Sequence, residues 1–198
     1  MKMIALGSEA AIYDAGDCII KRRIKKNYRI GEIDSSLRRS RTLREFKILS
    51  KCYSAGFKVP KPLSVSDSTY TIKMEKISGL QLDSCFDIDF IESISREIAG
   101  IHKLGVIHGD LTTANMMAEG KEVYIIDFGL GYFSLKPEDR ASDLFLMKNA
   151  LISRHPKKAA EAHRLLLKAY EKSMGKEFKE IETHLKDIEK RRRYHESS

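Results

Sequence analysis

Three polar residues on two short loops constrain this chain most. Asp110 and Asn115 lie in the segment His108-Gly-Asp-Leu-Thr-Thr-Ala-Asn115, and Asp127 opens the segment Asp127-Phe-Gly129. Carboxylate and amide oxygens are ligands that Mg²⁺ prefers, and a carboxylate held apart from the metal can orient a hydroxyl or water for attack. Two carboxylates and one amide on neighbouring loops indicate a divalent-cation site, with Asn115 and Asp127 as candidate metal ligands and Asp110 as a candidate catalytic carboxylate.

The helix before the first loop is the most strongly patterned element. Residues 89–104 place isoleucines on one face, Asp89 and Glu92 have the spacing of a capping box, and Gly105 ends the helix. This helix leads the chain directly to His108. We expect His108 to fix the loop by hydrogen bonding, while a role as general base is the alternative.

A lysine and a glutamate supply a second part of the same chemistry. Lys21 ends an apolar predicted strand, so the base of its side chain is expected to be buried, and a buried ammonium needs an anionic partner. Residues 37–53 show helical periodicity, and Glu45 is the only acid among them. Glu45 either pairs locally with Arg41 or pairs with Lys21, and the second pair resembles the strand-lysine and helix-glutamate pair that holds nucleotide phosphates in protein kinases. Its position after the lysine strand favours the pair with Lys21.

The first predicted turn, residues 7–10, is a candidate phosphate-binding turn. Gly7 is its only glycine, so the segment lacks the Gly-x-Gly-x-x-Gly pattern. The N–H groups of Glu9 and Ala10 can still approach phosphates. The Glu9 carboxylate is an unfavourable neighbour for a triphosphate, however, and a plain hairpin turn is an alternative of equal weight.

The end of a later predicted strand, residues 68–76, is a candidate adenine site. Because the two loops resemble those of protein kinases, the resemblance implies that backbone groups of Glu75 and Ile77 bind the adenine edge, with Met74 behind the ring; an ordinary strand end is the alternative. The candidate nucleotide-binding residues are therefore Gly7, Ser8, Glu9, Ala10, Lys21, Glu75, Ile77, Asn115 and Asp127.

Length and cysteine usage limit the class of protein. The 198 residues suffice for one well-packed domain or for two small lobes that share a cleft. Cys18, Cys52 and Cys85 are scattered and form no Cys-x-x-Cys pair, which fits a reducing compartment and offers no metal site. Because a signal-peptide profile and long apolar runs are lacking, we expect a cytoplasmic location and no membrane partner.

Positive charge is concentrated in three segments, residues 21–29, 38–44 and 191–193, within a formal net charge of +8. Such clusters of lysine and arginine favour a polyanionic partner, with nucleic acid as the first candidate. A solvated surface that aids solubility is an alternative of equal weight for any single cluster. The last cluster, which ends at Arg193, is also consistent with a solvated helix end.

Short strands dominate the start of the chain and helices dominate its end. Three short strands before residue 25 predict an antiparallel meander, and the helix at residues 37–53 follows it. From residue 142 onward the periodicity is helical. We predict a single α+β domain with an antiparallel β lobe that carries one helix, residues 1–76, and a mainly helical lobe, residues 77–198.

The two loops resemble those of protein kinases. Nearly the whole chain is similar to the small kinase-like ATPase subunit family of the KEOPS complex, an atypical relative of the RIO kinases. The Gly-Asp-Leu-Thr-Thr spelling of the catalytic loop is the most specific match. The matching segments are Gly7-Ser-Glu-Ala10, Ile20-Lys-Arg22, Tyr28-Arg29, Arg41-Thr-Leu-Arg-Glu45, Val59-Pro-Lys-Pro62, His108-Gly-Asp-Leu-Thr-Thr-Ala-Asn115, Asp127-Phe-Gly-Leu-Gly131 and Glu138-Asp-Arg-Ala-Ser-Asp-Leu144.

The resemblance implies a compact two-lobed protein-kinase-like fold that binds Mg-ATP between its lobes. Lys21 and Glu45 would clamp the phosphates, Asp110 would orient the attacking hydroxyl or water, and Asn115 and Asp127 would carry Mg²⁺. The resemblance also implies a KEOPS-like complex that makes threonylcarbamoyladenosine next to the tRNA anticodon. The partners would be the tRNA-modifying catalytic subunit, other small subunits and tRNA itself.

Departures from ordinary kinases narrow the expected activity. Gly109 replaces the usual arginine, so control by a phosphorylated activation loop is not expected. Thr112 stands where Ser/Thr kinases have a lysine, and only sixteen positions separate Asp127 from Asp143. We therefore expect an atypical Ser/Thr kinase with few targets, or mainly an ATPase. The alternatives are a free-standing RIO-like kinase and a nucleotide-sensing scaffold without useful catalysis.

Overall fold

An antiparallel five-stranded sheet forms the first part of the fold. The computed structural model describes the backbone of residues 1–196 and the side chains of residues 1–192. The sheet has the order β1-β2-β3-β5-β4, so β3 lies at its centre, and Lys21 stands opposite Ile12 and Ile72. Its strands are β1 (Lys2–Leu6), β2 (Ala10–Asp14), β3 (Cys18–Arg23), β4 (Pro62–Ser66) and β5 (Thr71–Glu75).

Helix α1 (Gly31–Ser54) packs against β4 and β5. It begins six residues before the predicted helix. Glu32 and Asp34 in its first turn favour this start, because negative charge offsets the positive end of the helix dipole. Ile33 and Leu37 are exposed, so the first turns carry no apolar periodicity that the sequence could reveal.

The second part of the fold is mainly helical. Helix α3 lies between α5 and strand β9, and its buried isoleucines form the centre of the core. The helices of this second part are α2 (Leu82–Cys85), α3 (Ile91–Lys103), α4 (Pro137–Arg154), α5 (Ala159–Met174) and α6 (Phe178–Glu196). Its short strands are β6 (Leu80–Gln81), β7 (Val106–Ile107), β8 (Met116–Glu119), β9 (Glu122–Ile125) and β10 (Tyr132–Phe133).

The loop between α1 and β4 connects the sheet to the helical part through packing and hydrogen bonds. Phe57 lies against Gly100 of α3, where a Cβ would stand 2.0 Å from Cε1 of the Phe57 ring. The Lys58 N–H donates to Glu97 Oε2 at 2.9 Å, and the Lys58 carbonyl accepts from the Ile125 N–H at 2.9 Å. This short loop therefore joins α1, α3 and β9.

Several element boundaries differ from the sequence predictions. The predicted capping box at Asp89 is wrong, because α3 starts after a short 3₁₀ turn and Phe90 makes no side-chain cap. Helix α4 starts at Pro137, five residues before position 142, since proline is well suited to the first turn. Strand β4 is not predicted as a separate strand, because the prolines at positions 60 and 62 indicate only an extended backbone.

The predicted α+β architecture is confirmed: an antiparallel sheet with one helix precedes a mainly helical part. The boundary at residue 76 stays a prediction, although β5 ends at Glu75. Within residues 1–196, no helix combines the length and the apolar character that a membrane crossing requires.

Candidate functional site

Four charged side chains meet where β3, α1 and the loop after β9 come together. The Lys21 ammonium lies 2.7 Å from Glu45 Oε1 and 2.5 Å from Asp127 Oδ1. Nη2 of Arg23 lies 2.6 Å from Glu45 Oε2. Lys21, Arg23 and Glu45 are buried, whereas the Asp127 side chain is 46% exposed. Two cations thus neutralise two carboxylates, and one carboxylate remains accessible to a ligand.

Local sequence patterns place these groups. Lys21 and Arg23 are two positions apart on β3, so both point to the same face of the sheet, while Arg22 between them is exposed. Glu45 lies on the buried face of α1 together with Ile48, three positions later. The predicted contact between Lys21 and Glu45 is present. Arg23 is not among the residues predicted for the site, although its period-two spacing from Lys21 is a sequence signal for the same face of the strand.

Opposite charges decide the ionisation of the pair formed by Lys21 and Asp127. Burial disfavours the ammonium, but Glu45 and Asp127 outweigh burial and raise the pKa of Lys21. Burial likewise disfavours the Asp127 carboxylate, but the Lys21 charge outweighs it and lowers the pKa of Asp127. Both groups are therefore charged at neutral pH.

The Asp127 turn has a special backbone conformation. Asp127 has φ of +61°, in the left-handed region that few residues other than glycine adopt. Its Oδ1 accepts the Gly129 N–H at 3.0 Å, which closes the turn on the side chain. A Cβ on Gly129 would lie 2.8 Å from the same Oδ1 and 3.4 Å from Lys21 Nζ. Glycine at 129 is thus needed beside the charged cluster.

The catalytic-loop candidates Asp110 and Asn115 contact each other directly. Nδ2 of Asn115 donates to the Asp110 carbonyl at 2.8 Å and to Asp110 Oδ2 at 2.9 Å. The Asp110 side chain is exposed, and Asn115 is partly exposed. The Ile126 N–H donates to the Asn115 carbonyl at 2.9 Å, so the two predicted loops are held side by side. His108 adds a second link, with Nε2 3.0 Å from the Ile126 carbonyl.

Asp143 of α4 holds the loop that carries Asp110, a role that the sequence pattern alone does not indicate. Its Oδ2 accepts the His108 N–H at 2.6 Å, and its Oδ1 accepts the Gly109 N–H at 2.9 Å. Oδ2 also lies 3.2 Å from His102 Nε2. Asp143 is 1% exposed, so one buried carboxylate fixes two successive backbone groups just before Asp110.

The first turn is a closed hairpin. The Gly7 N–H donates to the Ala10 carbonyl at 2.9 Å, and Lys26 donates to the Ser8 carbonyl. The Glu9 carboxylate pairs with Arg41 at 2.9 Å and with Arg29 at 3.6 Å. Arg41 therefore pairs with Glu9 and not with Glu45. These contacts fit the hairpin alternative, and phosphate binding by residues 7–10 stays a prediction.

The candidate adenine-binding residues lie at the end of β5. The Glu75 N–H donates to the Lys61 carbonyl at 2.9 Å, and the Glu75 carboxylate accepts the Lys61 N–H at 3.1 Å. Met74 and Ile77 are each 8% exposed. Contacts with Lys61 thus occupy the Glu75 N–H, so an adenine contact at this residue would have to use another backbone group.

The basic segments divide into buried, paired and accessible cations. Lys21 and Arg23 are buried in the charged cluster. Acidic partners lie beside Arg38, Arg39, Arg41 and Arg191, which contact Asp34, Asp67, Glu9 and Glu138 respectively. Arg22, Lys25 and Arg44 are exposed. The side chain of Arg193 lies outside the described residues.

The chain is similar in sequence to a known domain family and to proteins from several organisms. Residues 18–149 match the RIO domain family. The KEOPS complex subunit Bud32 of Pyrococcus abyssi is 38% identical, over 100% of this chain and 98% of its own length. The EKC/KEOPS complex subunit BUD32 of Enterocytozoon bieneusi is 39% identical, over 78% of this chain and 84% of its own length.

A longer relative contains this chain as one part. The probable bifunctional tRNA threonylcarbamoyladenosine biosynthesis protein of Methanobrevibacter smithii is 40% identical over 97% of this chain. The match covers 36% of that protein, so this chain spans about a third of the bifunctional relatives.

Solved structures show the fold, and the sequence relatives identify the family. The Rio2 kinase–ADP/Mg²⁺–phosphoaspartate complex of Chaetomium thermophilum has a TM-score of 0.62 at 19% identity, covering 94% of this chain and 70% of that one. WaaP in complex with acyl carrier protein has a TM-score of 0.61 at 12% identity, covering 96% and 88%. These likenesses establish a kinase-like fold. The chain therefore belongs to the RIO-domain family, among the Bud32 proteins.

Proposed function

We propose that this chain binds Mg-ATP beside Lys21 and Asp127 and acts as an atypical Ser/Thr kinase or ATPase. The observation that carries the proposal is the contact of Lys21 with both Glu45 and Asp127, at 2.7 Å and 2.5 Å. The Asp110 loop is joined to this cluster through the hydrogen bonds of His108 and Asn115 to Ile126. Membership of the RIO-domain family supports the same chemistry.

The donor atoms fit a magnesium ion that arrives with a nucleotide. Asn115 directs its amide NH₂ to Asp110, so Oδ1 is its ligand atom. Asp127 contacts Lys21 and Gly129 through Oδ1, which leaves Oδ2 for a cation. Mg²⁺ accepts such oxygens and uses few protein groups when phosphates complete its shell. Within residues 1–192, no group of three His, Cys, Asp or Glu side chains suits a metal without a nucleotide.

In our proposal, the candidate site residues divide the chemistry among them. Asp110, exposed and fixed through its backbone, would orient the attacking hydroxyl or water. Lys21 would turn toward the phosphates while Glu45 keeps its side chain in place. Bound Mg-ATP supplies the transferable phosphoryl group and the positive charge that offsets the charge developing on it. Asn115 and Asp127 would hold the metal, and backbone groups near Glu75 and Ile77 would bind the adenine edge.

The names of the relatives support a place in a larger assembly. Relatives in Pyrococcus and Enterocytozoon are named as KEOPS complex subunits, and others as bifunctional threonylcarbamoyladenosine biosynthesis proteins. In our proposal this chain acts beside the tRNA-modifying catalytic subunit and other small subunits, and its ATP turnover supports that modification. Exposed cations such as Arg22, Lys25 and Arg44 would contact tRNA phosphates.

The proposal is tested by ATP turnover of wild type and Asp127→Ala, each alone and with the tRNA-modifying partner. We expect Asp127→Ala to lose activity by about a hundredfold or more, because a metal ligand and the Lys21 counter-charge disappear together. Asp17→Ala, at an exposed turn position, is the matched control and should behave as wild type. Equal turnover in Asp127→Ala and wild type would refute the assignment.

A second variant separates catalysis from a scaffold role. Asp110→Asn keeps the size of the side chain but removes the carboxylate that orients the nucleophile. If the assembly modifies tRNA at the wild-type rate with Asp110→Asn, the chain serves as a nucleotide-sensing scaffold. Efficient phosphorylation of diverse proteins by the chain alone would instead favour a free-standing RIO-like kinase.

A further inference from the structure

Arg23 is the second cation on Glu45, and neither the metal nor the phosphate chemistry above requires it. It is 4% exposed, and its Nη2 lies 2.6 Å from Glu45 Oε2 and 3.4 Å from the Gly129 carbonyl. Its Nε is buried and has no hydrogen-bond partner among the described residues. A buried guanidinium with an unsatisfied donor is costly, so stability alone gives little reason for an arginine here.

The two oxygens of Glu45 have separate cations. Oε1 contacts Lys21, and Oε2 contacts Arg23. Lys21 is also engaged by Asp127 at 2.5 Å, so its single ammonium serves two carboxylates. When Lys21 turns toward phosphates, Glu45 would lose part of its neutralisation unless another cation stays in place. A buried carboxylate without a cation is strongly unfavourable, which would push Glu45 and α1 away from the site.

We propose that Arg23 is a positioning residue of the nucleotide site proposed above. It holds Glu45 and the Asp127–Gly129 turn in place while the Lys21 ammonium turns toward the phosphates. The planar guanidinium suits this task, because its several N–H groups can contact a carboxylate and a carbonyl at once. Arg23 thereby ties β3, α1 and the turn together. The arrangement needs no phosphorylated loop, which agrees with glycine at position 109.

The test measures the affinity of Mg-ATP and of adenosine, by calorimetry, for wild type, Arg23→Met, Arg23→Lys and Lys73→Met. We expect Arg23→Met to bind Mg-ATP about tenfold more weakly, because a buried hydrogen bond to a charged group is lost. Adenosine affinity should stay within about twofold of wild type, since adenosine has no phosphates to reach Lys21. General damage to the fold would weaken the binding of both Mg-ATP and adenosine.

Two comparison variants show whether the weaker binding of Arg23→Met comes from the lost contacts of Arg23. Lys73→Met removes an exposed cation from the neighbouring strand β5 and should bind Mg-ATP as wild type does. Arg23→Lys keeps the charge but loses the second contact, so we expect an affinity about threefold weaker than wild type. If Arg23→Met folds and binds Mg-ATP as tightly as Lys73→Met, the proposal is overturned. Should Arg23→Met not fold, wild-type affinity in Arg23→Lys overturns it.

A double-mutant cycle tests whether Arg23 acts through Glu45. If it does, adding Arg23→Met to Glu45→Gln should weaken Mg-ATP binding by much less than the tenfold that Arg23→Met causes in the wild-type protein. Additive losses would overturn the positioning role. The wild-type titration separates failure of the proposed function from failure of the role of Arg23. If wild type takes up no Mg-ATP, alone or in its complex, the proposed function fails. Uptake by wild type with no effect of either Arg23 variant refutes the role of Arg23 alone.

Discussion

At the scale of single residues, the backbone at position 109 limits which side chain can stand there. Gly109 has φ of +77°, and a Cβ there would lie 2.6 Å from the Leu130 carbonyl oxygen. Gly120 also has a positive φ, +62°, but a Cβ at that position would meet no atom within 4 Å. Comparison of the two glycines therefore separates backbone strain from crowding.

Gly109→Ala is expected to lower the free energy of unfolding by about 2–5 kcal/mol, because left-handed strain adds to overpacking against Leu130. Gly120→Ala should lose only the strain, about 1–2 kcal/mol. Urea unfolding of both variants beside wild type measures the difference. Equal losses would show that the approach of Leu130 does not matter.

Single positions are predictable where a motif gives them a chemical role. Asp110, Asn115 and Asp127 can be identified because their spacing and loop context are specific. Arg23 is harder to identify, because it follows two other cations and only its two-residue spacing from Lys21 indicates that it points to the same face of the strand. Asp143 has the same difficulty, since its partners are backbone N–H groups of a loop 34 and 35 residues away.

At the scale of elements, α4 holds the loop that carries Asp110 through one side chain. Asp143→Asn replaces an acceptor-only carboxylate by an amide, whose NH₂ would face the N–H donors of His108 or Gly109. We expect the free energy of unfolding to fall by about 1–3 kcal/mol, with ATP turnover reduced as well. Denaturant unfolding measures the first effect.

Asp67→Asn is the matched control for that variant. Asp67 forms an exposed ion pair with Arg39 at 2.8 Å, so the same chemical change should cost about 0–1 kcal/mol. A loss in Asp143→Asn no larger than in Asp67→Asn would contradict the assigned role of α4.

The start of α1 depends on a buried carboxylate. Asp34 is 0% exposed, accepts the Lys26 N–H at 3.2 Å and pairs with Arg38 Nε at 2.7 Å. Burial disfavours the charged form, but the hydrogen bonds of Lys26 and Arg38 outweigh it and lower the pKa of Asp34 below its ordinary value of 3.8. The carboxylate therefore stabilises the fold above that value and ceases to do so as pH falls through the folded pKa.

Asp34→Asn is expected to be less stable than wild type at pH 7, and the difference should shrink as the pH falls below 3.8. Wild type loses its charge–charge contacts in that range, whereas the amide has none to lose. Urea midpoints of both proteins, measured from neutral to acidic pH, report the difference. Asp17→Asn, at an exposed position, is the control, and a difference independent of pH would contradict the prediction.

Elements are predictable where their apolar periodicity is strong. Helix α3 and the β8–β9 hairpin follow from helical or alternating patterns that match burial in the structure, and the early strands also form as predicted although β1 is exposed along its length. The first turns of α1 do not, because Ile33 and Leu37 are exposed there. Helix α4 begins before its pattern does, since its start depends on Pro137 and two acids in the first turn.

At the scale of the whole molecule, the net charge of +8 predicts salt-sensitive binding of RNA. The double variant Arg22→Ala/Lys25→Ala should weaken tRNA binding and reduce the slope of log affinity against log salt by about 0.7–0.9 per lost phosphate contact. Fluorescence titrations across a range of salt concentrations measure the slope. Lys157→Ala, also exposed but outside the basic segments, should keep the wild-type slope; an unchanged slope in the double variant would contradict the proposed RNA contact.

The packing of Phe57 on Gly100 also limits how the two halves of the molecule can open. The neighbouring Lys58 donates a hydrogen bond to Glu97 and accepts one from Ile125. Sliding of this loop along α3 would break both bonds and expose the buried Glu97 and Ile125. We therefore expect any opening between the sheet and the helical part to be a rotation about this contact. Distances would then change least beside Phe57 and most at the far ends of the early strands.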